Sequence, residues 1–127
     1  MAYEKFYLCE KCGNVIEMVS PSGVPVVCCG QKMTKLEAGT TDASREKHVP
    51  TVTVNGNTVE VCVGAVIHPM TPEHSIQFIY LLTNKGVKRV DLSPVDEPKA
   101  TFTLAEDEKA VAVYEYCNLH GLWKKEL

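Results

Sequence analysis

The stretch VPTVTVNGNTVEVCVGAVI, residues 49–67, alternates apolar and polar side chains on either side of Asn55-Gly56. A period of two is that of a strand with one buried face, and Asn-Gly readily takes the left-handed backbone of a two-residue hairpin turn. The stretch therefore predicts strands over 49–54 and 58–67, with Val59, Val61, Val63 and Ala65 on one face. Cys62 falls on the other, as a small, partly buried, inert side chain. Four further runs carry the same signature: IQFIYLL (76–82), VKRVDL (87–92), ATFTL (100–104) and KAVAVYEYC (109–117). Strands at this spacing, with no segment of helical period, predict an antiparallel sandwich. Tyr80, Tyr114 and Tyr116 then read as sheet aromatics, as does Tyr7 nearer the start of the chain.

Residues 1–37 are different in kind. They hold Cys9, Cys12, Cys28 and Cys29 and too few apolar residues for a core, so a metal must supply the missing stability. The small, polar AGTTDASRE that follows (38–46) reads as a linker. The expected organisation is a small metal domain, 1–37, followed by a β domain, 38–127.

Composition narrows the function. With 45% hydrophobic and 23% charged residues, a formal charge of −3 and no Lys/Arg run, the chain offers no footprint for nucleic acid or an anionic membrane. No apolar run approaches the ~18 residues of a spanning helix, and MAYEKFYLCEKC has no signal-peptide core. Six cysteines without an export signal suggest metal thiolates in the reducing cytoplasm rather than disulfides.

Cys9-x-x-Cys12 forms a tight turn, eased by Gly13, that aims two sulfurs at one point, and Cys28-Cys29 closes a tetrahedron from the other side. Adjacent cysteines cannot both choose their angle freely, so some distortion is expected. Zinc and iron both accept such a set.

The histidines form the second cluster. If the six strands run alternately up and down, the segments before residue 49, from 67 to 75, from 93 to 99 and beyond 116 share one end of the sandwich. His48, His68, His74, Cys117 and His120 all lie in that group, so ligands far apart in sequence can converge. Four imidazoles and a thiolate are too many for a closed structural zinc site. They suit a square-pyramidal iron that keeps one position for chemistry. With neutral imidazoles, ferrous iron there would carry a net positive charge suited to a small anion.

REKHVP (45–50), HPMTPEH (68–74) and CNLHGLW (117–123), preceded by CEKCG (9–13) and CCG (28–30), resemble the desulfoferrodoxins, two-iron superoxide reductases. The resemblance covers essentially the whole chain. It implies a desulforedoxin-like Fe(Cys)4 domain liganded by Cys9, Cys12, Cys28 and Cys29. It also implies an immunoglobulin-like β-sandwich whose Fe(His)4Cys centre uses His48, His68, His74, Cys117 and His120. The expected activity is reduction of superoxide to hydrogen peroxide without dismutation, in a homodimer re-reduced by a donor such as rubredoxin. By the same resemblance Lys47 attracts the anion and orients a water for proton delivery, and Glu46 fills the sixth position of ferric iron once product has left. Taken alone, an EK dipeptide is a solvated charge pair. Glu115 reads as an exposed strand carboxylate, and Trp123 as packing for the C-terminal tail near His120. A non-catalytic electron carrier and a zinc-stabilised binding module are the competing classes.

Overall fold

The computed structural model describes residues 5–39 and 45–127, the side chain of Glu46 excepted. The chain falls into two compact units, Met1–Glu37 and Ala38–Leu127.

The first unit is built from short strands and turns. Strand β1 (Phe6–Leu8) pairs antiparallel with β2 (Val15–Glu17) and with β5 (Thr34–Lys35), and β3 (Val27–Cys28) pairs with β4 (Gln31–Lys32). Its buried apolar side chains are Phe6, Met33 and Cys9. Each contributes only ~1.5–3 kcal/mol, too little to fold such a segment unaided. The register Cys28↔Gln31 leaves Cys29-Gly30 as a two-residue turn, and both take positive φ, 53° and 78°. That turn type needs the left-handed region twice, and Cys29 is the one non-glycine residue found there among the described residues.

In the second unit, one turn of helix, α1 (Arg45–His48), precedes seven strands. β6 (Pro50–Asn55), β7 (Thr58–Val63) and β10 (Lys99–Thr103) form a sheet in the order β10-β7-β6. β8 (Ile76–Thr83), β9 (Val87–Asp91), β11 (Ala110–Cys117) and β12 (Gly121–Glu126) form another, in the order β12-β11-β8-β9. All pairings are antiparallel. Between the sheets Val59, Val61 and Val63 of β7 meet Ile76, Ile79 and Leu81 of β8, Phe102 of β10 and Val113 of β11. This is the immunoglobulin-like sandwich expected. The opposite face of the four-stranded sheet is also buried: Tyr80 meets Tyr114 edge to face at 6.0 Å, and Phe78 stacks on Tyr116 at 5.8 Å.

Three expectations change. β7 stops at Val63 because Gly64 turns the chain at φ 86°, so Ala65 is exposed in a turn rather than on the core face. GLWKKE, read as a tail, is the edge strand β12, paired along β11 from Ala112 to Cys117. Its lysines disguise it, yet charged residues are what an edge strand carries. The end of the stretch read as a linker begins α1; residues 40–44 of that stretch lie outside the described residues. No helix among the described residues is long and apolar enough to cross a membrane.

Candidate metal centres

In the first unit, local turns gather the sulfurs. The Gly13 amide donates to the Cys9 carbonyl and the Cys9 amide to that of Asn14, both at 2.8 Å, which closes the CEKCG loop. The Cys29-Gly30 turn presents the other pair. Ligand atoms of Cys9, Cys12, Cys28 and Cys29 all lie within 4.8 Å of one another. Cys12 Sγ is 3.7 Å from Cys28 Sγ, and Cys28 Sγ is 4.0 Å from Cys29 Sγ. A tetrahedron with metal–sulfur bonds of ~2.3 Å has edges of ~3.8 Å, so the set fits a metal, while a disulfide would need ~2.05 Å. All four are free thiols. Packed together, they cannot share one acidity. The backbone amide of Cys12 pulls the Cys9 thiol down to about 6, whereas its hydrogen bond to the Cys12 sulfur pushes the Cys29 thiol up to about 12. The Asn14 amide also donates to Cys28 Sγ, at 3.6 Å.

In the second unit, four separate pieces of backbone bring in the donors. α1 carries His48, the β7–β8 connection His68 and His74, the end of β11 Cys117, and the β11–β12 turn His120. The imidazoles form a closed circuit. Ring centroids are 4.7 Å apart for His48–His68, 4.6 Å for His68–His74, 5.0 Å for His74–His120 and 4.8 Å for His120–His48. Neighbours stand at 79–89° to one another, while His48 and His74, across the circuit, are 6.4 Å apart and inclined by 28°. Four similar sides with a longer diagonal, near the ~1.4 ratio of a square, describe a square; a tetrahedron would make all the distances alike.

The donor atoms agree. His48 Nε2 lies 3.2 Å from His68 Nε2 and 3.1 Å from His120 Nδ1, and Cys117 Sγ is 3.9 Å from His120 Nδ1. His48, His74, Cys117 and His120 place one donor atom each within a mutual 4.8 Å; His68 lies outside that tighter group and joins through His48. His68 Nδ1 lies 2.7 Å from the Pro69 carbonyl, which fixes that nitrogen as the donor and leaves Nε2 a lone pair facing the cluster. His74 Nε2 is buried without a hydrogen-bond partner. Burial holds His68 down to about 4 and lowers His74, so both imidazoles are neutral near neutral pH and able to ligate. Burial raises the Cys117 thiol, whose proton must leave when a metal binds.

Lys47 is exposed, and its charge adds to the lowering of His74 after burial and the charge of His120. Glu46 belongs to α1, but its side chain lies outside the described residues. Glu115 corrects its reading as an exposed carboxylate. It is fully buried on the inner face of β11 with Val113 and Cys117, neither oxygen has a hydrogen-bond partner, and burial pushes it well above the usual carboxyl range. Strand alternation through AVAVYEYC carried that signal.

Two supporting residues emerge. Trp123 stacks on His48 at 5.1 Å and donates its indole N–H to the His120 carbonyl at 2.9 Å, fixing two of the four imidazoles. Asn118 accepts from the Ser75 amide and donates to the Glu73 carbonyl, each at 3.0 Å, tying the Cys117–His120 turn to the His74 segment. Sequence reasoning missed Asn118; its position inside CNLH was the available hint.

Comparison with known proteins meets this geometry directly. The desulfoferrodoxin family profile matches residues 40–126, and that of the desulfoferrodoxin N-terminal domain matches residues 3–36. The chain belongs to the desulfoferrodoxin family. A desulfoferrodoxin homolog from Archaeoglobus fulgidus is 47% identical over 118 residues, covering 93% of each chain. The crystal structure of the superoxide reductase from Treponema pallidum superposes with a TM-score of 0.83 at 39% identity, over 98% of this chain and 100% of that one. A one-iron superoxide reductase from Giardia intestinalis matches 65% of this chain and 99% of its own, with a TM-score of 0.55 and 36% identity. As a desulfoferrodoxin the chain has donor sets for two iron ions, one of four thiolates and one of imidazoles with a thiolate.

Proposed function

We propose that this chain is a superoxide reductase that converts superoxide to hydrogen peroxide without dismutation at an iron held by His48, His68, His74, His120 and Cys117. The observation that carries the reading is the square of imidazoles. Iron held by these five donors would keep room for a small anion and would supply the single electron that superoxide takes up.

The surrounding residues do the rest. The neutral imidazoles of His68 and His74 add no charge, so the Cys117 thiolate offsets only part of the charge of a ferrous ion and the site stays attractive to an anion. The Lys47 ammonium draws superoxide in and orients a water that passes on protons. Glu46, adjacent to His48 in sequence, is assigned the carboxylate that takes the vacated position after product leaves. Cys9, Cys12, Cys28 and Cys29 hold the other iron, which stabilises a domain of residues 1–37; residues 38–127 form the catalytic domain.

An electron donor such as rubredoxin restores the spent electron. The assembly proposed is a homodimer, to which exposed Val19, Val24 and Val27 of the first unit would offer apolar surface. A cytoplasmic setting fits the six free thiols.

The test is stoichiometry. With both irons loaded and chemically reduced, each superoxide consumed yields one hydrogen peroxide and no dioxygen. Evolution of dioxygen with half that peroxide yield marks dismutation and overturns the proposal.

A further inference from the structure

A superoxide reductase must take in electrons somewhere other than the position where superoxide binds. A donor protein seated over that position would block substrate and trap product. Among the described residues, the second unit has a groove of about 360 Å³ to which Gly39, Arg45, Val49, Trp123, Lys125 and Glu126 contribute walls.

Two features make it more than a surface dent. The first is its connection to the metal cluster: Trp123 forms one wall, stacks on His48 at 5.1 Å and bonds the His120 carbonyl at 2.9 Å. An electron delivered at this wall has one aromatic ring to cross before a ligand imidazole. The second is its charge. The chain carries −3 overall, yet the groove holds Arg45, Lys124 and Lys125 against Glu126 as the one described carboxylate in its lining. Glu126 is paired with Lys124 at 3.3 Å, and the Arg45 guanidinium lies 6.0 Å from the Trp123 ring centroid. A local excess of cations on an acidic protein selects an acidic partner and steers its approach.

The geometry points to this groove as the docking surface for an acidic one-electron donor protein, with Trp123 as its contact to His48. The inference rests on the superoxide reductase reading. The donor loses one electron and the ferric site gains it; no group or proton passes between the two proteins, and the Glu46 carboxylate is released for the next superoxide.

The experiment uses the iron-loaded full chain and an acidic rubredoxin as probe, with a basic cytochrome c as the wrong-charge control. Affinity is measured by calorimetry at low and at raised salt. The wild type should bind rubredoxin, more weakly as salt is added, and bind cytochrome c less well. The double substitution Arg45→Glu with Lys125→Glu should weaken rubredoxin at least tenfold at low salt and abolish the salt dependence. The milder Arg45→Gln with Lys125→Gln should fall between the two. Lys85→Glu, in the β8–β9 turn, should bind as wild type does. In all of these variants the rate of the ferrous protein with superoxide should be unchanged. Wild-type affinity in the double charge reversal, or no binding of rubredoxin by wild type at any salt, would overturn the docking assignment while leaving the enzyme reading intact. A wild-type ferrous protein inert toward superoxide would instead strike the enzyme reading.

Discussion

The thiolate cluster and the histidine cluster are opposite solutions to the same problem. Cys9, Cys12, Cys28 and Cys29 are gathered by two tight turns within a unit whose buried apolar side chains are few, so nothing but the metal can hold them together. His48, His68, His74, Cys117 and His120 come from segments far apart in sequence, which the strands of a sandwich core bring together. The difference teaches that a metal can serve a fold or be served by one. In the first unit binding energy is folding energy. In the second the protein has already met the cost of ordering, so five donors can be spent on a site that leaves a position for substrate.

The largest expected effect comes from the one soft donor of the second cluster. Cys117→Ser should slow the reaction of ferrous protein with superoxide more than ~100-fold, beyond the loss that removal of an outer-shell partner causes. It should also erase the visible absorption of the second iron and leave that of the thiolate iron intact. A variant that kept iron and full rate would sink the assignment of Cys117 as a ligand.

Next comes the brace between segments. Asn118→Ala leaves the buried Ser75 amide without its acceptor, a loss of ~1–3 kcal/mol. Because the brace ties Cys117 and His120 to His74, the variant should release the second iron to a chelator ~10–100-fold more readily and keep the first. Equal release of both irons would mean that the two clusters are not held by separate means.

Lys47→Ala should have a smaller effect, slowing the encounter with superoxide several-fold and flattening its dependence on ionic strength. Identical salt slopes in variant and wild type would reduce Lys47 to a solvated charge.

Much of this was legible in the sequence because it rests on local pattern. The β7 alternation located Val59, Val61 and Val63 in the core, and strand parity brought the histidines to one end without any contact information. What escaped has physical reasons. The lysines of β12 mask a strand whose pairing with β11 supplies the order that its composition does not. Glu115 was set aside because a carboxylate is usually solvated, although its alternation with Val113 and Cys117 pointed inward. Asn118 acts through a contact with residues 73 and 75 that no local period encodes.

The smallest effect lies at a carboxylate just before β11, at the far end of that strand from Cys117. The Thr83 hydroxyl donates to Glu108 at 2.6 Å and the Ala105 amide at 3.0 Å, and these bonds, with Lys88 nearby, hold the Glu108 carboxyl below its usual range. The folded protein thus binds fewer protons there than the unfolded chain. Its stabilising contribution is complete above the ordinary glutamate range and is lost as pH falls through the lowered value. Glu108→Gln should therefore be slightly less stable than wild type at neutral pH, with a gap that closes in acid, and should leave the superoxide reaction untouched. A gap independent of pH would show that the charged form is not what these bonds favour.

The contrast between the clusters is tested most directly by Cys12→Ser. Hydrogen exchange and metal content should show the first unit losing backbone protection and its iron, while the second unit keeps both. Pulse radiolysis of the chemically reduced variant should then return the wild-type second-order rate with superoxide. A folded Cys12→Ser protein that holds ferrous iron at the histidine cluster and fails to react with superoxide would contradict the division between a metal that makes a fold and a fold that makes a metal site.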